Sequence, residues 1–190
     1  MPSFELVLHS KREEDVQSFL AQYPDILISA FANHPGGSGR TLCIPKFRFG
    51  TEFICDFLIL YGHFGRWEVT LIELEPPTAN PFTKAGNFAK RLNEAIRQVH
   101  DWLGWIHTNP EYFRTSLSKH SDELADTSHP IDRFTRIMTC AKIIIGRRSM
   151  LTPSVNARRH TVYAESGQRL EIIPYDRLVK FYDYDRYKEA

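Results

Sequence analysis

EFICDFLILYGHFGRWEVTLIELE, residues 52–75, is the stretch on which the fold of this 190-residue chain turns. Two apolar runs, 52–61 and 66–75, flank the link Tyr61–Gly65, and the pattern reads as two strands joined by a hairpin. In the second run Thr70, Ile72 and Leu74 face one way, while Leu71, Glu73 and Glu75 face the other. That run is apolar enough to lie in the middle of a sheet, so two carboxylates on one of its faces need a physical reason. Asp56, inside FICDFLIL, poses the same question, because a bare buried carboxylate loses hydration at a cost on the order of several kcal/mol. Such a group has to be paired with a cation or to hold a proton.

Upstream, TLCIPKFRFG (41–50) reads as a further strand. Ser10 to Tyr23 reads as a first helix, with Ser10 as N-cap, Glu13 at capping-box spacing, an apolar face of Val16, Phe19 and Leu20, and Pro24 as its stop. HPGGSG (34–39) is loop; it lacks the Lys-Ser/Thr that completes a phosphate-binding P-loop. Downstream, PPTANPF (76–82) leads to a long helix over about Asn87 to His107, where Phe88, Leu92, Ile96, Val99, Leu103 and Ile106 form one stripe. Gln98, Trp102 and Trp105 border that stripe. Residues 108–132 read as a polar linker, RIMTCAKIIIGRR (136–148) as a buried strand, 153–165 as a helix, Arg169–Ile173 as a short strand, and Tyr175 onward as a final helix. This order predicts a single α/β domain over residues 1–190, with a mixed central β-sheet flanked by helices.

Composition agrees with an ordinary globular chain: 42% hydrophobic and 25% charged residues. Cys43, Cys55 and Cys140 are widely spaced with no CxxC or Cys/His zinc pattern, which favours a reducing compartment. The opening residues have no signal-peptide apolar region and no run approaches a membrane span, so a cytoplasmic protein without membrane contact is expected. The eight histidines include no HExxH pair, and the absence of G-x-S-x-G removes support for a serine hydrolase. Charge is unevenly divided: residues 1–80 hold 6 Lys+Arg against 10 Asp+Glu, and residues 81–190 hold 18 against 13. From Arg133 to Ala164 there are seven basic residues and no acidic one.

Asp56, Glu73 and Glu75 would converge if the two hairpin runs pair antiparallel, forming a hard oxygen site suited to Mg²⁺ or Mn²⁺. The bland alternative is that these acids pair with arginines such as Arg66 or Arg91. Arg147 and Arg148 should emerge at the carboxyl end of the buried strand, with Arg158 and Arg159 extending a track for DNA phosphates. Their alternative is a solvated face or acidic side-chain partners. Trp102 and Trp105 are read as core or subunit interface rather than as base-stacking residues.

Taken together, DFLIL, IELEPP, FTKAG and AIRQVHDWLGWI resemble the core of PD-(D/E)XK nucleases, a restriction-endonuclease-like fold. Within that class the chain resembles the Shedu C-terminal family: EEDVQSFLAQYPDIL is similar to the family's opening helix, and IIIGRRSML and LEIIPYDRLV to its closing strand and helix. The resemblance implies a metal-dependent DNA endonuclease acting in anti-phage defence, with Asp56 as the metal-binding Asp and Glu73 as the acid of the (D/E)XK pair. It makes Gln98 the helix glutamine that orients a phosphate or water, and Glu13, or else Glu14, an assisting acid. Glu75 occupies the Lys position, so it becomes a further metal ligand, and Lys84 or Lys90 becomes the substitute lysine. DNA is the implied partner and self-association is implied by analogy, with FYDYDRYKEA (181–190) as a contributor. A catalytically inactive module of the same fold, binding nucleic acid or a protein, is the alternative.

Overall fold

The structure, a computed structural model, describes residues 4–32, 40–63, 66–121, 131 and 136–188. The HPGGSG loop, Phe64 and Gly65 of the hairpin link, residues 122–130 of the expected linker, Arg133 and the side chains of FYDYDRYKEA beyond Tyr182 lie outside the described residues.

Five strands form one sheet in the order β1 (Arg40–Pro45), β4 (Phe57–His63), β5 (Arg66–Leu74), β6 (Arg136–Ile144) and β7 (Leu170–Ile173). β1, β4 and β5 pair antiparallel, with Pro45 opposite Phe57 and Phe57 opposite Ile72. β6 and β7 then add in parallel, so the sheet is mixed, as expected from the hairpin followed by βα units. Two short strands, β2 (Arg48–Phe49) and β3 (Phe53–Ile54), form a separate ribbon. What read as two long strands, 41–50 and 52–61, is therefore broken twice, at Lys46–Phe47 and at Cys55–Asp56.

β5 is central, and its alternation assigns the helices to two layers. Trp67, Val69 and Leu71 pack with Leu92, Ala95, Val99 and Trp102 of α4 (Lys90–Thr108), Phe113 and Leu117 of α5 (Pro110–Ser121) and Val155 of α6 (Pro153–Glu165). Ile72 and Leu74 pack with α1 (Phe4–Val7), α2 (Glu13–Gln22), α3 (Asp25–Phe31) and α7 (Asp176–Lys188). The crossovers β5–β6 and β6–β7 move the same way across the sheet, so a common hand puts α4 and α6 on one face.

Two expectations are corrected. α2 starts at Glu13 rather than at Ser10, whose hydroxyl donates to Asp15 (2.6 Å) and accepts from the Arg12 amide (3.1 Å) instead of capping the helix. Residues 110–121 of the expected linker form α5, because Phe113 and Leu117, one turn apart, find a core that includes Phe47 and Phe49. Trp102 is core, 1% exposed. No helix among the described residues is long and apolar enough to cross a membrane.

Candidate active site

The carboxyl ends of the parallel strands, where ligands gather in open α/β sheets, carry an acidic cluster. Asp56 sits in the break between β3 and β4 and is 6% exposed. The break is held by backbone bonds on both sides: the Asp56 amide donates to Ile72 (3.1 Å), and the Lys46 amide donates to the Asp56 carbonyl (2.7 Å). This fixes the carboxylate at the end of the sheet with both oxygens committed. Oδ2 accepts the Leu74 amide (2.8 Å); Oδ1 accepts the Gln17 side-chain amide (2.8 Å) and the Lys46 ammonium (2.6 Å). Lys46 adopts a left-handed φ of 47°, a conformation that costs a non-glycine residue about 1 kcal/mol or more.

Glu73 and Glu75 leave β5 on the α4 side. Glu73 is half-buried, and burial first, then the charges of Asp56, Glu13 and Glu75, push its carboxyl up to about 9 against the pull of Lys46. Glu13, in the first turn of α2, is pushed up to about 7, again by burial and then by Asp56 and Glu75. Among the described residues neither Glu13 nor Glu73 has a hydrogen-bond or ion-pair partner. Glu75 is raised by burial, offset by the Arg91 guanidinium 3.2 Å from Oε2. Beneath them the fully buried Tyr175 hydroxyl donates to the Glu75 carbonyl (2.9 Å), its proton held by burial and by the surrounding acids.

A profile of the family described as "Shedu protein SduA, C-terminal" matches residues 10–179. The chain belongs to this Shedu family. A search of curated proteins gave no significant match. The match covers α2 through the first turn of α7, so the acidic cluster lies wholly within the Shedu domain.

The Shedu domain brings Asp56, Glu73, Glu75 and Glu13 close enough to act on one another electrostatically. Glu14 instead points away to Arg12 (3.7 Å). Gln98 has no bond to the cluster; it lies seven residues along α4 from Arg91, roughly 10 Å of helical rise. Lys84 is exposed in a turn, and Lys90 lies 3.8 Å from Glu94 on the outer surface of α4. The lysine at the cluster is Lys46, which sequence reasoning missed. Its signal was the pairing of strand 41–45 with the strand after Asp56, a register that sets residue 46 against residue 56. Gln17 was missed too, although it is one turn from Glu13 on the same face of α2.

Arginine pairing accounts for part of this charge. Glu75 pairs with Arg91 and Arg66 pairs with Glu68 (3.3 Å), but among the described residues no arginine is paired with Asp56 or Glu73. Of the expected phosphate track, Arg147 is bound to Asp176 (3.2 and 3.3 Å), Arg158 to the Gly86 carbonyl (2.9 Å), and Arg159 to the Ile172 carbonyl (2.8 Å). The Arg148 guanidinium has no such partner among the described residues.

The donor set is all oxygen on the acidic side, which suits a hard divalent cation. Among the described residues no three acid, His or Cys side chains stand close enough to bind an ion as they are. The Lys46 ammonium lies against Asp56 Oδ1, so this carboxylate already has a cationic partner. Two acids without partners among the described residues, beside a carboxylate that holds a cationic group, fit a site for a hard cation once their side chains rotate.

Proposed function

We propose that this Shedu domain is a metal-dependent DNA endonuclease of the PD-(D/E)XK class, hydrolysing phosphodiesters in anti-phage defence. Family membership points to the defence role. The observation that carries the chemistry is the gathering of Glu13, Glu73 and Glu75 around a buried, fully hydrogen-bonded Asp56. Bringing these acids together in a partly buried place opposes their ionisation, as the raised carboxyl values of Glu13 and Glu73 record, and we read that cost as offset by what the cluster binds.

Asp56 and Glu73 would hold Mg²⁺ or Mn²⁺, with Glu75 as a third oxygen donor once it leaves Arg91 and Glu13 in support. The bound ion supplies an activated water and offsets charge on the scissile phosphate. Gln17 and the Leu74 amide fix the orientation of Asp56, which would hold the carboxylate in place for an ion. Lys46, displaced from Oδ1, takes the part vacated at position 75: its ammonium orients the attacking water and stabilises charge on the phosphorane. Arg91 stands ready to receive a phosphate oxygen when Glu75 turns away.

The second reading, a nuclease-fold module that binds nucleic acid or a protein without cutting, is favoured by the Glu75–Arg91 pair and the unfinished ligand set. Purified protein incubated with linear, supercoiled and single-stranded DNA, in Mg²⁺, Mn²⁺ or EDTA, separates the two. The nuclease predicts metal-dependent cutting that Asp56→Ala abolishes. DNA left intact in every condition, with binding retained, establishes the inactive module.

A further inference from the structure

The acidic cluster leaves unused a second concentration of charge on the same end of the sheet. β7 is an edge strand, and between it, the N-terminal half of α6 and the start of α7 lies a cavity of about 630 Å³. Arg148, Arg159, His160 and Arg177 line it, against a single carboxylate, Glu171. Glu171 is already shared between Lys142 (2.8 Å) and Arg177 (2.9 Å). Arg159 is pinned in place by the Ile172 carbonyl and by Asn156 (2.8 Å each). Arg148, exposed, has no partner for its guanidinium among the described residues. Burial lowers the proton affinity of Arg159, and the charges of Arg177 and Arg148 lower it further against the pull of Glu171, so the three guanidinium groups sense one another.

Three guanidinium groups facing one cavity with one shared counter-charge raise the free energy of the empty pocket. An anion with several oxygens relieves it, and the planar fork of arginine matches phosphate geometry. The cavity also includes Thr152 and Pro153, the cap and first residue of α6, whose helix dipole has the sign that favours an anion. A lone side-chain carboxylate would fill little of such a volume. Glu73, Ile143 and Ile172 share one row across β5, β6 and β7, so the pocket's wall is two strand spacings, roughly 10 Å, from the acidic cluster.

We infer that this pocket binds a phosphate group, carried either by a nucleic-acid strand lying across the sheet end or by a free nucleotide. The strand source rests on the nuclease reading; the free source stands without it.

The test uses the full chain in EDTA, so that cutting plays no part. Calorimetry with inorganic phosphate and with adenosine monophosphate, and anisotropy with a labelled DNA duplex across a salt series, compare wild type, Arg148→Ala and Arg148→Glu. Arg97→Ala, an exposed arginine on α4, is the control. Phosphate or nucleotide binding weakened about tenfold by Arg148→Ala alone identifies the free source. No response to either small ligand, with DNA affinity falling several-fold and the salt slope shrinking by about one, identifies the strand source. Unchanged binding in both Arg148 variants, or a loss that Arg97→Ala equals, overturns the pocket. Failure of the nuclease reading looks different: DNA stays uncut in Mg²⁺ while these binding differences persist.

Discussion

At the scale of single residues, the acids carry the active-site reading and Lys46 is the residue that tests it most sharply. Asp56, Glu73 and Glu75 stood out in the sequence because a carboxylate inside or beside an apolar run is visible there, and Glu13 came in only through the family resemblance. Lys46 and Gln17 did neither, since each reaches Asp56 only through pairing or packing that sequence does not give: the β1–β4 register and the seating of α2 over the sheet end. Lys84 and Lys90, the substitutes that the resemblance implied, are both exposed. Lys46 can be tested apart from the fold. Lys46→Met keeps the length of the side chain and the left-handed φ while removing the charge. Because the ammonium already lies against Asp56 Oδ1, its loss should leave Mn²⁺ affinity equal or tighter, yet slow single-turnover cleavage by about a hundredfold or more. Calorimetry and quenched-flow cleavage on one preparation read both quantities. Cleavage at the wild-type rate would reduce Lys46 to a structural partner of Asp56.

At the scale of elements, strong periodicity was legible and weak periodicity was not. α4 and α6 stand close to where their spacing put them, since one has a continuous apolar stripe and the other a capped start at Thr152. α5 escaped because Ser, Thr and His dominate its sequence and only Phe113 and Leu117 are buried. The break at Asp56 escaped because FICDFLIL is an apolar run interrupted by one residue alone, which reads as a single buried strand. Where elements meet, the tightest joint is at the end of β6. Gly146 has φ +64°, and a Cβ there would lie 2.6 Å from the Ala79 carbonyl oxygen. The nearest atom is backbone and the next is the Pro81 ring at 3.0 Å, neither of which retreats cheaply, so Gly146→Ala should destabilise the protein by about 1–3 kcal/mol in urea unfolding. The same glycine accepts the Tyr175 amide (3.1 Å), and Tyr175 supports Glu75, so cleavage should fall beyond what the lost folded fraction explains. Stability within about 0.5 kcal/mol of wild type would mean that the 76–81 loop yields freely.

At the scale of the whole molecule, the sequence already divided its charge, acidic over residues 1–80 and basic beyond. It could not show that parallel β5, β6 and β7 bring the two halves to one end of the sheet, acids at β5 and arginines at the β7 edge. The acidic half has a consequence for stability against pH. In the unfolded chain Glu13 and Glu73 return to the ordinary carboxylate value of 4.5, whereas the fold holds them near 7 and 9, chiefly by burial. The folded protein then keeps protons that the unfolded chain releases. These two groups favour the fold most fully below about pH 4.5, and their contribution declines as pH climbs through 7 towards 9. Half-exposed Glu13 contributes the smaller part, solvent screening its neighbours' charge. A divalent cation replaces the missing protons, so it should stabilise more as pH rises. In EDTA the Tm should therefore fall between about pH 6 and 9, with saturating Mg²⁺ or Mn²⁺ it should fall less, and Glu73→Gln should flatten the EDTA profile. A metal-induced rise in Tm that is the same at every pH, or none, would show that no cation exchanges for protons in this cluster.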